Sequence, residues 1–202
     1  MALAPTSPAE RHDPAGPAPA DVRGEGLPGR PDLISHAGDA TKVLVIGLGN
    51  PILGEDGVGW QGAGAVGRAL ATTIQSAGLQ VEVDYASLGG LRLMERMLGY
   101  ERVILVDSME TGLVPEGHLH VCRLEELPDR ATGHSASAHD TSLRVALELG
   151  RACGEAIPSR VDVVGIEACN MFNFSESLSE PVLQAVPRAV AAVSQLLVTE
   201  EK

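Results

Sequence analysis

The sequence predicts an α/β fold: a three-layer sandwich with a mostly parallel sheet of about five strands, one of them antiparallel, and helices on both faces. The first indication is a set of short apolar, β-branched runs such as Val43-Leu44-Val45-Ile46, which are typical of strands buried on both faces. The second is that these runs alternate along the chain with longer segments of helical periodicity. Strands that alternate with helices form a parallel sheet with helices on both faces.

Each element follows from its own pattern. The apolar runs predict strands at 43–46, 81–86, 103–106 and 161–166. The alternating segment 118–124 follows closely behind 103–107 and predicts an antiparallel neighbour of that strand. Helices are predicted at 59–77, 91–98, 141–153 and 181–198. Ser177-Leu178-Ser179-Glu180, directly before the last helix, resembles a capping box.

Residues 1–41 differ in composition from the rest of the chain. They hold seven of the 13 prolines and five of the 23 glycines, and a segment this rich in proline and glycine does not repay its ordering entropy by burial. The composition predicts a disordered tail over residues 1–41. The alternation of strands and helices after this segment predicts a single α/β domain over residues 42–202.

Composition excludes several classes of protein. The chain has 15 Lys and Arg against 27 Asp and Glu, and its net charge of −12 argues against nucleic-acid binding. No apolar run approaches the roughly 18 residues that a membrane span requires. The cysteines, Cys122, Cys153 and Cys169, are scattered and form no CxxC pair, which argues against a disulfide framework and a thiolate zinc site. We therefore expect reduced thiols in a cytoplasmic protein.

Two acids are predicted at the carboxyl edge of the sheet, where ligands of such folds gather. Asp56, preceded by Glu55, lies in a glycine-rich turn between the first strand and its helix. Asp107 directly follows the strand at 103–106. If these two strands are neighbours, the carboxylates converge, and they repel each other unless they share a proton or a cation. Taken singly, each residue also suits a structural role, Asp56 as a helix cap and Asp107 in a turn.

A histidine at the start of the third helix completes a candidate constellation. His139 stands directly before the helix predicted at 141–153. Together with the two acids it would suit a borderline divalent metal such as nickel or zinc, or would position a water for hydrolysis. A solvated loop histidine is the structural alternative.

Two other patterns are assigned structural roles. Gly62-Ala63-Gly64-Ala65-Val66-Gly67 matches GxGxxG but lies inside the predicted helix, more than a dozen residues after the strand. A dinucleotide fingerprint lies between strand and helix, so these small residues predict close helix packing. His118 and His120 share one strand face, and an exposed sheet face is favoured over a metal site. The sequence contains no GxSxG elbow, and covalent catalysis is not predicted.

The turn motif resembles a known family. Gly47-x-Gly49-Asn50 followed by Glu55-Asp56-Gly57-x-Gly59 is similar to the maturation endopeptidases of nickel-iron hydrogenases. The resemblance continues through Val106-Asp107-Ser108 and Ser137-Ala138-His139, and it covers most of residues 42–198. It implies an endopeptidase that removes a C-terminal extension from the hydrogenase large-subunit precursor after nickel insertion.

The resemblance also implies a set of site residues. Asp56, Asp107 and His139 would be the catalytic and nickel-contacting residues, with nickel supplied by the substrate and bound transiently, and no organic cofactor is expected. Predicted substrate contacts are Gly49, Asn50, Glu55, Gly89 and Gly90. The expected partner is the large-subunit precursor. Because no apolar surface stripe is evident, we expect a monomer, with no nucleic-acid or membrane partner.

Two alternative functions remain open at this point. Val45-Ile46-Gly47-Leu48-Gly49-Asn50-Pro51 also resembles the opening of peptidyl-tRNA hydrolases. That family places a catalytic His shortly afterwards, whereas here no His occurs between His36 and His118. The other alternative is a non-enzymatic adaptor with a degenerate site. The presence of all three candidate ligands in order argues against it.

Overall fold

The computed structural model describes residues 40–71, 79–127 and 140–199, without the side chains of residues 140–142. The tail predicted over residues 1–41 therefore lies almost wholly outside the described residues. The first strand begins at Thr41, one residue before the predicted start of the α/β domain.

Five strands and four α-helices form the described part of the chain. The strands are β1 (Thr41–Leu48), β2 (Leu79–Ala86), β3 (Arg102–Met109), β4 (Leu119–Arg123) and β5 (Arg160–Glu167). The α-helices are α1 (Val58–Leu70), α2 (Gly90–Met97), α3 (Asp140–Ala152) and α4 (Glu180–Val198). Short 3₁₀ turns span Gly54–Gly57 and Leu124–Glu126.

The sheet has the strand order β2-β1-β3-β5-β4, in which only the β4–β5 pair is antiparallel. Alternate residues of β1 enter two separate cores, because successive side chains of a strand point to opposite faces. Leu44 packs with residues of α2 and α3, and Val45 packs with residues of α1 and α4. The predicted three-layer sandwich with helices on both faces is confirmed.

The predicted position of β4 is wrong. It was expected beside β3, but β5 lies between them, and β4 pairs with β5 at the edge of the sheet. The reason lies in burial. β3 is buried along all but its first residue and requires a partner strand on each side, whereas the short β4 leaves Val121 exposed, as an edge strand can.

Helix α1 begins directly above the ends of β1 and β3. A Cβ on Gly59 would lie 2.2 Å from the Leu48 carbonyl oxygen and 2.4 Å from that of Val106. A Cβ on Gly62 would lie 2.8 Å from Val106 Cγ1, so the GxGxxG letters serve close packing, as predicted. The helix ends at Leu70 instead of residue 77, and residues 72–78 lie outside the described part.

Helix α4 is long and apolar enough, by length and composition alone, to cross a membrane. In the structure a minority of its residues are buried. One face of it packs against the sheet and α1 and carries the buried residues Val182, Ala185, Ala189, Val193 and Leu197.

The amino-terminal ends of the strands are basic. A cavity of about 400 Å³ at this end is lined in part by Arg102, Arg123 and Arg160. The buried Asp162 lies among them and accepts a hydrogen bond of 2.7 Å from Arg160 Nε. The predicted acidic site thus lies at the opposite end of the sheet from a cluster of guanidinium groups.

Candidate active site

The turn after β1 folds back on itself around Gly49. This residue has φ +110°, a backbone conformation that residues with a side chain rarely adopt. A Cβ at this position would lie 1.9 Å from the Asp56 carbonyl oxygen. Its N–H donates to the Ala86 carbonyl at the end of β2. The glycine therefore lets Asp56 approach the carboxyl edge of the sheet.

Hydrogen bonds from neighbouring groups hold the Asp56 carboxylate in place. The backbone N–H of Asn50 donates to Oδ2 at 2.6 Å, and the Ser108 hydroxyl donates to Oδ1 at 3.2 Å. The Asn50 side chain shapes the same turn, since its Oδ1 accepts the Ile52 N–H at 3.2 Å. Asp56 is partly buried, so its carboxylate borders on solvent while its position is fixed.

Asp107 shares one contact with Asp56, namely Ser108. It is buried near the end of β3, and its Oδ1 accepts the backbone N–H of Ser108 at 2.9 Å. Ser108 therefore contacts both acids, one through its hydroxyl and the other through its backbone. The condition that the sequence set for convergence, neighbouring strands, is met, because β1 pairs directly with β3. The convergence of the two carboxylates themselves stays a prediction.

His139, the third predicted ligand, lies outside the described residues. Helix α3 begins at the next residue, Asp140. Within the described ranges, no group of three or more His, Cys, Asp or Glu side chains is placed to hold a metal ion. The role of His139 as the third ligand therefore stays a prediction.

Glu55 faces inward, away from its neighbour Asp56. Its buried carboxylate accepts the backbone N–H groups of Cys169 at 2.9 Å, Asn170 at 3.0 Å and Ser179 at 3.2 Å. Burial alone would raise the pKa of Glu55, but hydrogen bonds from Ser179, Asn170 and Cys169 outweigh it and hold the pKa below its ordinary value. A carboxylate engaged in this way positions the turn from inside.

The turn is joined to the segment that follows β5. The Gly54 N–H donates to the Ser175 carbonyl at 2.6 Å, and the Ser175 N–H donates to the Ile52 carbonyl at 3.1 Å. We call residues 168–179 the β5–α4 loop. The predicted capping box at the start of α4 is wrong, because the Ser179 side chain makes no cap hydrogen bond and its backbone N–H donates to Glu55.

Replacing the buried charge tests this joint. A Glu55→Gln variant is expected to lose about 2–3 kcal/mol of unfolding free energy at pH 7, because an amide accepts less strongly and brings its own N–H groups against the donors. The lowered pKa means that the charge of Glu55 stabilises the fold fully above the ordinary value of 4.5 and loses this effect as pH falls through the folded pKa.

The difference in unfolding free energy between wild type and Glu55→Gln, measured in urea, should therefore shrink as the pH falls below 4.5. Glu176→Gln, on the same loop but exposed, is the matched control and should leave stability within about 0.5 kcal/mol. A Glu55 effect that is independent of pH would contradict the proposed charge-dependent joint.

The two glycines predicted to contact substrate lie at the end of β2. Gly89 is exposed and precedes α2, which Gly90 begins with φ +56°. Ser87 joins this segment to the turn, because its hydroxyl donates to the Gly49 carbonyl at 2.7 Å. The segments that carry the predicted substrate contacts thus meet at one end of the sheet.

A second buried glutamate organises this end, and the sequence reasoning did not single it out. Glu167, the last residue of β5, accepts hydrogen bonds from both the N–H and the hydroxyl of Thr111 and from the Gly112 N–H. It also contacts His120 Nε2 at 2.9 Å. An acid directly after the apolar run 161–166 was the available signal. His120 is therefore engaged with a carboxylate, and the face it lies on is not simply solvated.

Cys169 lies beside the site but is not an activated thiol. A hydrogen bond to Glu116, then burial and nearby carboxylates, raise its pKa to about 11. A nucleophilic cysteine requires the opposite shift. We expect Cys169→Ala to retain activity within about twofold, and iodoacetamide treatment of the wild type at pH 7 to leave the rate unchanged. Loss of activity in both experiments would indicate a thiol mechanism.

The chain is similar in sequence to proteins of one known family. The HycI hydrogenase maturation protease model matches residues 64–196, a range that includes Asp107 and His139 and begins after Asp56. The hydrogenase expression/formation protein HupD of Rhizobium leguminosarum bv. viciae is 25% identical over 162 residues, which cover 78% of this chain and 75% of that protein.

Solved structures share the fold. The hydrogenase maturating endopeptidase HybD from E. coli aligns with a TM-score of 0.61 at 22% identity, over 77% of this chain and 91% of that one. The [NiFe] hydrogenase maturation protease HybD from Thermococcus kodakarensis aligns with a TM-score of 0.56 at 25% identity, over 77% and 98%. Since the family model matches more than half of the sequence, the chain belongs to the hydrogenase maturation protease family.

Proposed function

We propose that this protein is an endopeptidase that removes the C-terminal extension of a nickel-iron hydrogenase large-subunit precursor after nickel has been inserted. Family membership supports the reaction class and the hydrogenase substrate. The observation that carries the proposal is the pairing of Asp56 and Asp107 through Ser108 at the carboxyl edge of the sheet.

The nickel of the precursor belongs to the substrate in this proposal. Two carboxylates and the imidazole of His139 would form an oxygen and nitrogen donor set without thiolate. Such a set holds nickel more weakly than a thiolate site, which suits a protein that recognises the metal in its substrate and releases it. Asp56 and Asp107 each accept a backbone N–H, which supports a donor set whose two carboxylates are oriented before the precursor arrives.

Peptide hydrolysis at this site requires only water and a group that moves a proton. Water adds to the scissile carbonyl carbon, and one of the two carboxylates accepts the proton that the water loses. The carbon–nitrogen bond then breaks, and the proton passes to the leaving amine. Asp56, which is partly buried, and Asp107, which is more deeply buried, are the candidate proton acceptors.

The remaining parts of the proposal concern setting. We expect the enzyme to act in the cytoplasm as a monomer, with the precursor as its protein partner. Because the chain carries a net charge of −12, basic segments of the precursor would be attracted to it.

A processing assay tests the function. Purified protein is mixed with a large-subunit precursor from the same source, either loaded with nickel or nickel-free, and intact mass spectrometry follows the C-terminus. Loss of a C-terminal peptide from the nickel-loaded form alone is the expected result. Cleavage of both forms would overturn nickel recognition by Asp56, Asp107 and His139, and cleavage of neither would favour the adaptor.

A further inference from the structure

Both phenylalanines of this chain are exposed beside the candidate site. Aromatic residues make up only 2% of the sequence, and large aromatic side chains are usually buried. Yet Phe172 and Phe174 are 79% and 85% exposed on the β5–α4 loop, and Ile52 on the site turn is 48% exposed. We call Ile52, Phe172 and Phe174 the apolar rim.

The apolar rim lies on braced backbone. The Glu55 carboxylate binds the loop at residues 169, 170 and 179, on both sides of the two phenylalanines. Ser175 adds backbone hydrogen bonds to Ile52 and Gly54, and Asn173 Nδ2 donates to Asn170 Oδ1 at 2.6 Å. The backbone that carries the two exposed phenylalanines is therefore braced by Glu55, the residue directly before Asp56. A pre-ordered apolar surface loses little entropy when a partner covers it.

Charge limits the kind of partner. The segments 43–67, 103–122 and 161–187, which supply the carboxyl ends of β1, β3 and β5, contain no Lys or Arg. They expose the carboxylates of Glu110, Glu116, Glu176 and Glu180. The arginine cluster Arg102, Arg123 and Arg160 lies at the other end of the sheet. Arg188 reaches this end through a hydrogen bond to the Gly117 carbonyl. Among Asp, Glu, Lys and Arg, the exposed side chains that the described residues of these segments contribute are nevertheless all carboxylates, which complement an apolar segment flanked by Lys or Arg.

We propose that the apolar rim is the docking surface for a segment of the precursor polypeptide that combines bulky apolar side chains with flanking Lys or Arg. The inference rests on the proposed function, because it takes the precursor as the partner. Docking on the apolar rim places the bound chain beside Asp56, which follows Ile52 by four residues in the same turn. The phenylalanines then contribute affinity, and the carboxylates contribute the chemistry.

Kinetics with nickel-loaded precursor test the docking role. The double variant Phe172→Ser and Phe174→Ser should raise KM roughly 10- to 100-fold and leave kcat within about twofold, since aromatic residues at interfaces carry much of the binding energy. Val198→Ser is the matched control, because Val198 is 82% exposed at the far end of α4. The control should match wild type, and an unchanged KM in the double variant would overturn the inference.

Binding is measured separately so that the two proposals fail differently. Biolayer interferometry with immobilised precursor reports docking even when no peptide bond is cleaved. Binding of wild type without cleavage would overturn the protease function, while a roughly tenfold weaker Kd for the double variant would still support the apolar rim. Equal Kd values for wild type and the double variant would overturn the docking role of the apolar rim and leave the protease function untouched.

Two further arms identify the chemistry of the partner. Glu176→Lys should weaken binding severalfold, and the wild-type Kd should rise with added salt, because exposed charges attract a basic segment only at modest ionic strength. Sedimentation analysis addresses a second copy of this chain as the occupant. A wild-type dimer that the double variant abolishes, together with an unchanged KM, would assign the apolar rim to self-association and overturn the proposal.

Discussion

An Asp107→Asn variant is expected to fold as the wild type does and to lose precursor cleavage by roughly 100- to 10 000-fold. Asparagine has the same shape and still offers an oxygen to the Ser108 N–H, so the end of β3 should keep its geometry. It offers no negative charge to a cation and accepts no proton from water. Asp56→Asn should behave similarly, since Asn50 and Ser108 hold that side chain in place.

The measurement is the cleavage rate under single-turnover conditions, with unfolding in urea as the check on folding. Asp84→Asn is the matched control, because Asp84 pairs with Arg96 on the exposed side of β2 and lies outside the site. The control should cleave at the wild-type rate. Retention of more than about a tenth of the activity by both Asp107→Asn and Asp56→Asn would rule out the paired carboxylates as the catalytic groups.

The second large effect is expected from Gly49→Ala. The new Cβ would stand 1.9 Å from the Asp56 carbonyl oxygen, at a φ of +110° that alanine rarely adopts. Relief requires the turn to move away from the sheet, which displaces Asp56 from Ser108. We expect a loss of roughly 3–5 kcal/mol in unfolding free energy, of which the steric overlap contributes the larger part. Activity should fall below detection even where the variant remains folded.

A second glycine separates backbone strain from close approach. Gly99 has φ +82°, and no atom lies within 4 Å of a Cβ built on it. Gly99→Ala should therefore cost only about 1–2 kcal/mol from strain and leave cleavage intact. Urea unfolding of both variants measures the difference. Similar losses for the two would mean that the contact between Gly49 and Asp56 does not position the site.

The joint between Glu55 and the β5–α4 loop connects the site to its surroundings. Because that carboxylate binds backbone groups before and after the phenylalanines, the turn that carries Asp56 and the apolar rim form one braced unit. A change at Glu55 should therefore affect precursor binding as well as stability. This coupling explains how two adjacent acids in one turn take different roles, Glu55 inside the protein and Asp56 at its surface.

Local pattern predicted most of the fold. Short runs rich in β-branched residues identified four parallel strands within three residues of their ends. For β1 and β3, the burial on both faces shows directly in a continuous apolar sequence, whereas β2 alternates valine with acidic residues and is only partly buried. The position of Asp56 and Asp107 after two such strands was enough to place both acids at one sheet edge. The burial of β5 can also be predicted from its sequence. Its place between β3 and β4 could not be predicted, because it depends on which strand pairs with the free edge of β3.

The strands, the helices around them and the end of the sheet at which the candidate site lies can be predicted from the sequence, because those features depend on residues close together in the chain. The direction of each side chain at that end depends on tertiary contacts. Glu55 meets its donors across 114 to 124 residues, and the exposure of Phe172 and Phe174 depends on that same joint. Contacts between residues this far apart in the chain produce no periodic pattern in the sequence. They form between two loops that come together only when the sheet has assembled.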